Sequence, residues 1–198
     1  MSILVWSLCG FFLGSLPFSV WVGKFALKKD IRQEGDHNPG ATNVLRAGGK
    51  GWYLFALILD IGKGALPVGL ASYFAGIQGW LMIPIAVAPP LGHAFSPFLK
   101  FRGGKAVAVT FGVWIGLTLW KVPLVSMIML VLFSLLISPS GWALLLTLIG
   151  ITMAIAVWLD DPVLLVIFLL HSLLLIYTHR DDLRQRPRLR ATLADHSS

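Results

Sequence analysis

Nearly every residue able to do chemistry sits in three short polar blocks, and their composition points to anion binding. The first block covers 30–46 and reads Gly35-Asp36-His37-Asn38-Pro39-Gly40-Ala41-Thr42-Asn43 at its centre, with Arg46 three residues on. Its glycines and the Asn38-Pro39-Gly40 turn predict a tight, irregular backbone whose amides can point inward together and hold an anion. Thr42 and Asn43 add side-chain hydrogen bonds, and the fork of Arg46 suits a phosphate. An ordinary loop capped by Asn38 or Thr42 ahead of a helix explains the same residues. The second block, 91–108, contains Gly92-His93 and Phe101-Arg102-Gly103-Gly104-Lys105. Gly103 and Gly104 allow close approach of the backbone to a ligand, a helix start behind them presents free amides, and Lys105 adds a full charge. The GxxxxGK[ST] spacing of a P-loop is absent, and a basic turn at a membrane surface is the plain alternative. The third block is His179-Arg180-Asp181-Asp182-Leu183-Arg184. There His179 can donate to a phosphate, act as a base or cap a helix.

The elements that position these blocks are apolar spans. Of 198 residues, 57% are hydrophobic and 13% charged, with a mean hydropathy of +0.80. That is more apolar surface than one core in water can cover, which excludes a soluble enzyme, a disordered chain and a secreted disulfide scaffold. The single cysteine, Cys9, allows no intrachain disulfide. A span needs roughly 20 apolar residues. Candidates are 3–27 (interrupted at Gly14-Ser15-Leu16-Pro17), 51–75, 80–98, 106–120, 122–137, 142–158 and 162–177. The fourth and fifth are short and separated only by Lys121. The first stretch lacks a basic leader and reads as a retained helix.

With seven spans, the cations fall mainly on one side. Lys28, Lys29, Arg32, Arg46, Lys50, Lys100, Arg102, Lys105 and the tail arginines share it; Lys121 lies opposite, and Lys24 and Lys63 sit within or at the ends of spans. The positive-inside rule places that side in the cytoplasm and the N-terminus outside. The expected fold is an all-α polytopic integral membrane helix bundle of about seven transmembrane helices with a cytoplasmic C-terminus. Nothing suggests a second domain, so 1–198 reads as one membrane-embedded domain with a basic tail over about 181–198 suited to anionic lipid. Within the membrane, Asp60 and Lys63 lie three apart on one helical face and read as a structural ion pair; His171 reads as an interhelical hydrogen-bonding residue.

Together the blocks resemble the bacterial membrane acyltransferases of the PlsY type, which acylate glycerol 3-phosphate from acyl phosphate. The resemblance runs through Gly14-Ser15 with Pro17, Gly35 to Asn43 with Val44-Leu45-Arg46, Gly48-Gly49-Lys50, Asp60, Lys63-Gly64, Leu66-Pro67-Val68, Gly92-His93 with Phe95, and Phe101 to Lys105 with Val107-Ala108. It implies transfer of an acyl group from acyl phosphate to the 1-hydroxyl of glycerol 3-phosphate, at the cytoplasmic face of a bacterial inner membrane. The products are lysophosphatidic acid and inorganic phosphate, in the first acylation of phospholipid synthesis. No cofactor, metal or nucleic acid is implied; the partners are the two substrates, membrane lipids and an enzyme that makes acyl phosphate. Carried over by motif, Lys105, His179 and Arg46 serve catalysis. Asp36, His37, Asn38, Thr42, Asn43, His93, Gly103, Gly104 and Asp182 bind substrate or shape the site.

This chain departs from the family pattern in three places. Members usually read Gly-Ser-Gly-Asn where it has Gly35-Asp36-His37-Asn38, and His-x-x-Asn where His179 is followed by Asp182. The second motif's proline falls one place late, at Pro97, with Ser96 in its stead. Two carboxylates thus occupy positions where neutral groups normally face phosphate, and one like-charge contact at 4 Å costs roughly 4 kcal/mol at an effective dielectric near 20. The expected resolution is a protonated His37 that offsets Asp36. The alternatives are a weakened enzyme or one with a less anionic acceptor, and a divalent cation gathered by Asp36, His37, His179 and Asp182. A transporter for phosphorylated solutes and a divergent low-activity paralogue are the rival functions.

Overall fold

The apolar runs of the sequence become helices joined by polar turns, in a computed structural model that describes residues 2–190. The end of the basic tail, 191–198, lies outside the described residues. In chain order the helices are α1 (Ile3–Ser15), α2 (Phe18–Val22), α3 (Ala41–Arg46), α4 (Lys50–Gly69), α5 (Met82–Ala94), α6 (Val107–Thr118), α7 (Lys121–Leu136), α8 (Ser140–Trp158), α9 (Pro162–Thr178) and α10 (Arg180–Leu183). Wider π-helical turns extend α2 over Gly23–Leu27 and α4 over Leu70–Phe74.

Among the described residues, four stretches are long and apolar enough to cross a membrane: Ile3–Leu27, Lys50–Phe74, Gly79–Leu99 and Ser140–Trp158. The helices Val107–Thr118, Lys121–Leu136 and Pro162–Thr178 are apolar but shorter. Leu119, at φ 55, turns the chain between α6 and α7, so the fourth and fifth candidates are separate helices. At 1.5 Å per residue, α6 is only about 18 Å long. Each part of the chain exposes large apolar side chains, Phe74 85% and Val157 71% exposed. Such a surface needs lipid around it.

The chain packs as two compact units that divide between Leu119 and Trp120. In the first, two helix pairs approach almost backbone to backbone. Gly14 lies on the Pro89 backbone and Gly92 on that of Phe11, while Gly64 meets Val109 and Gly112 meets Ile61; a Cβ at any of the four would overlap. Lipid gives helices no hydrophobic reason to associate, so close packing through small residues supplies the attraction.

The break between α1 and α2 follows from Pro17, which has no N–H to continue the helix. It frees carbonyls at membrane depth, where each needs a partner. Ser96 Oγ donates to Ser15 O at 2.6 Å, and Lys63 Nζ donates to Leu16 O at 2.8 Å. Serine at the displaced-proline position therefore has a structural task. Lys63 Nζ also lies 2.8 Å from Asp60 Oδ1, and Ser19 Oγ donates to Asp60 Oδ2 at 2.6 Å. Asp60 and Lys63 are each 2% exposed, so the expected ion pair is fully enclosed.

In the second unit, β1 (Ile137–Ser138) pairs antiparallel with β2 (Arg188–Leu189), Ile137 opposite Leu189. Trp142 Nε1 donates to Gln185 O at 2.8 Å, and Arg190 N to Leu136 O at 2.9 Å. The tail is therefore held as far as Arg190. Asp161 caps α9, its Oδ1 accepting from Val163 N at 2.8 Å and Leu164 N at 3.2 Å, ahead of Pro162 at the first helical position. Asp161→Ala is expected to cost about 0.5–2 kcal/mol, read as a melting temperature in detergent lowered by a few degrees.

Candidate active site

The first polar block folds around one amide side chain. After a short 3-10 turn at Ile31–Gln33, whose Ile31 is buried in the core with Val20 and Val44, the chain reverses through Gly35 (φ 52) and His37 (φ 58). Buried Asn43 closes the loop from within: its Nδ2 donates to Glu34 O at 2.9 Å and Asn38 O at 2.8 Å. Its Oδ1 accepts from Arg46 Nη1 at 2.9 Å, which fixes the guanidinium. Thr42 lies exposed on the first turn of α3.

The second block returns along the end of α5. Lys100 and Phe101 take left-handed conformations, φ 54 and 59, and turn the chain back on itself. Gly103 N then donates to Ala94 O and Gly104 N to His93 O, both at 3.1 Å. A Cβ on Gly103 would overlap the His93 carbonyl oxygen, and one on Gly104 the ring Nε2 of buried His93. The amides of Gly103 and Gly104 are committed to carbonyls of α5, and the close approach expected of the two glycines is made here to His93, against which the segment lies flush. Next along the chain, Lys105 N donates to Asn38 Oδ1 at 3.0 Å, which ties the two blocks together. The first turn of α6 follows with no side-chain cap.

Asp36 stands where the two blocks meet. One carboxylate oxygen accepts from Arg46 Nη1 at 2.9 Å and the other from Lys105 Nζ at 2.8 Å. Burial alone would raise its pKa, but the hydrogen bond from Lys105 and the charges of Lys105 and Arg46 outweigh this and hold the carboxyl below its ordinary 3.8. A depressed carboxyl keeps its ion pairs above its unfolded value and loses them only as pH falls through the lower, folded one; at neutral pH the bridge is intact. His37 points elsewhere, its Nδ1 donating to Arg32 O at 2.9 Å. The charge of Asp36 is thus offset by Arg46 and Lys105 rather than by His37, as the sequence had led us to expect. Among the described residues, there is no group of three or more His, Cys, Asp or Glu that could hold a metal ion.

The third block lies in the second unit. His179 is buried at the end of α9, its Nδ1 donating to Leu175 O at 2.8 Å. Asp182 Oδ2 accepts from Ser140 Oγ at 3.0 Å, and Gly141 fits against both residues. Ser140 was not singled out in the sequence; a serine opening an apolar helix carries no signal that it pairs with a carboxylate 42 positions on. The first unit also holds an apolar cleft of about 500 Å³ whose lining includes Phe18, Trp21, Phe25, Trp52 and Phe55.

The sequence profile of the glycerol-3-phosphate acyltransferase family matches residues 4–187. The chain belongs to this family. Among proteins named glycerol-3-phosphate acyltransferase, that of Maridesulfovibrio salexigens is 34% identical over 92% of each chain. That of Methylobacillus flagellatus is 38% identical over 93% of each. The crystal structure of PlsY, an integral membrane glycerol 3-phosphate acyltransferase, in its glycerol 3-phosphate form superposes with a TM-score of 0.85 at 28% identity, covering all of both chains. Its lysophosphatidic acid form gives 0.83 at 29% identity over 93% of this chain and 91% of that one. For a glycerol-3-phosphate acyltransferase, the junction of the two blocks has a direct consequence. Gly104→Ala displaces either His93 or the segment that carries Lys105, and a displacement of about 1 Å costs on the order of 100-fold in rate. Steady-state rates set beside melting temperatures in detergent check this.

Proposed function

We propose that this acyltransferase moves a fatty acyl group from acyl phosphate to the 1-hydroxyl of glycerol 3-phosphate, giving lysophosphatidic acid and inorganic phosphate. The observation that carries this reading is the convergence of Arg46 and Lys105, from separate blocks, on a single anionic group. Two cations so placed suit the phosphates of both reactants. The similar PlsY structures are a glycerol 3-phosphate form and a lysophosphatidic acid form, an acceptor and a product of this kind.

Acyl phosphate is already activated, so no covalent enzyme intermediate is needed. The acceptor hydroxyl attacks the acyl carbon, the bond from that carbon to the phosphate oxygen breaks, and charge grows on the departing phosphate. Arg46 and Lys105 stabilise that charge and hold the reactants in register. Asn43 and Asn38 position these two cations rather than react. His179, carried over from the family motif, serves the phosphate-bearing substrates; the hydroxyl proton passes to it or to a phosphate oxygen. The aromatic cleft of the first unit suits the fatty chain. The basic blocks face the cytoplasm by the positive-inside rule, in the inner membrane of a bacterium, where an enzyme that makes acyl phosphate supplies the donor.

The test is direct. Purified protein in detergent, given acyl phosphate and glycerol 3-phosphate, is expected to form lysophosphatidic acid, measured by mass spectrometry. No product, together with flux of the phosphate ester in sealed vesicles, overturns the proposal in favour of a transporter.

A further inference from the structure

We propose that Asp36 is a positioning residue for the acyl transfer: its carboxylate stays between Arg46 and Lys105 throughout the reaction and fixes the spacing and facing of the two cations without touching substrate. The inference rests on the reading of Arg46 and Lys105 as the groups that stabilise the departing phosphate.

The hydrogens of Arg46 decide which way its guanidinium faces. Nη1 carries two, and both are committed, one to Asp36 Oδ1 and one to Asn43 Oδ1, each at 2.9 Å. The side chain also lies across Gly35, where a Cβ would overlap Nη1 and the guanidinium carbon. Among the described residues nothing bonds Nε or Nη2, and the side chain is 46% exposed. That edge is a ready fork of the kind that grips phosphate. A phosphate seated there meets the guanidinium on the edge away from Nη1, so the carboxylate does not have to leave to admit it.

Two cations brought this close repel each other. Lys105 is fixed through its backbone by Asn38, but its ammonium ends a flexible four-carbon stem. Asp36 Oδ2 accepts from that ammonium at 2.8 Å while Oδ1 holds Arg46. The span of one carboxylate thereby sets the distance between donors from separate blocks, and its charge offsets their repulsion. Despite its partial burial, Lys105 and Arg46 hold the carboxyl below its ordinary pKa. It therefore keeps its charge at neutral pH and is a poor acceptor for the hydroxyl proton. Donors fixed before the reactants arrive cost no reorganisation when charge develops on the phosphate.

Chemical rescue separates this role from substrate binding. Asp36→Ala removes the carboxylate and leaves a seat of the size of formate, reachable because the Asp36 side chain is 37% exposed. With the purified full chain in detergent and both reactants saturating, Asp36→Ala is expected to form lysophosphatidic acid on the order of 100-fold more slowly, the effect of misplaced donors. Formate, compared with chloride at equal ionic strength, is expected to raise that rate about tenfold by putting the donors back in register. Asp36→Asn fills the seat with a neutral amide; it is expected to be as slow, and formate to do nothing for it. Melting temperatures show that each variant is folded at the assay temperature. The inference is overturned by wild-type or faster turnover in either variant, or by equal rescue of Asp36→Asn. It is overturned equally by formate that leaves Asp36→Ala unchanged or inhibits it in competition with glycerol 3-phosphate. If Asp36→Ala has melted, the rate of Asp36→Asn decides alone; if both have melted, the carboxylate holds the loop rather than the cations and the inference falls. No lysophosphatidic acid from the wild type sinks the proposed reaction and this role with it. Product from the wild type beside any of the overturning results sinks the role alone.

Discussion

Lys105→Ala is expected to lower turnover by a factor on the order of 100 to 1,000, the loss seen when one preorganised donor to a developing anion is removed. The lysine is well placed for such a loss. Its backbone is fixed by Asn38, its ammonium is aimed at the Arg46–Asp36 junction, and its side chain is 21% exposed. Lys105→Arg is expected to recover only part of the rate, because a planar fork cannot occupy the place of a compact ammonium without moving its neighbours. Rates of lysophosphatidic acid formation, measured alongside melting temperatures, check both. An alanine variant that keeps a third of the wild-type rate would remove Lys105 from the chemistry.

The second large effect is on stability. Asp60→Ala leaves Lys63 enclosed with a carbonyl in place of a carboxylate, and breaking a buried pair costs about 3–5 kcal/mol. For a chain of this size each kcal/mol lowers the melting temperature by roughly 2–4 °C. The variant is therefore expected to melt on the order of 10 °C lower in detergent, or to be recovered aggregated. Replacing both partners, as in Asp60→Leu with Lys63→Met, is expected to restore much of the loss, since it leaves no charge behind. If the single variant melts with the wild type, the pair is not what holds the broken first helix in place.

The sequence made the helices legible because each apolar run is bounded by charge, glycine or proline, and those boundaries are local. Pro17 marked the break in the first run, whereas Lys121 was a weak boundary that left the number of crossings between 106 and 137 open; the chain turns at Leu119, and Lys121 is the first residue of α7. The Asp60–Lys63 pair was legible for the same reason, its partners lying one helical turn apart. The site was legible in its residue types but not in its contacts. Gly103 and Gly104 were correctly marked for close approach, yet what they approach is His93, ten residues back, which they reach because a 3-10 turn at Pro97–Leu99 and the left-handed Lys100 and Phe101 fold the chain. Asp36 sits beside His37 in sequence, which suggested that the two would compensate each other. The left-handed backbone at His37 sends that ring to the carbonyl of Arg32, and the partners of Asp36 come from 10 and 69 positions away. No period or local motif records such distances.

The interruption of the first helix bears on how the chain is made. A nascent segment ending near Leu27 satisfies the Leu16 oxygen in part from its own Phe18 N–H, at 3.0 Å, but draws the donor for the Ser15 oxygen from outside itself. The side-chain donors to these two oxygens, Ser96 to Ser15 and Lys63 to Leu16, are synthesised later. The opening segment therefore reaches its final hydrogen bonding only after translation has passed Ser96, and a product released earlier would present the insertion and quality-control machinery with an unmet polar group inside the bilayer.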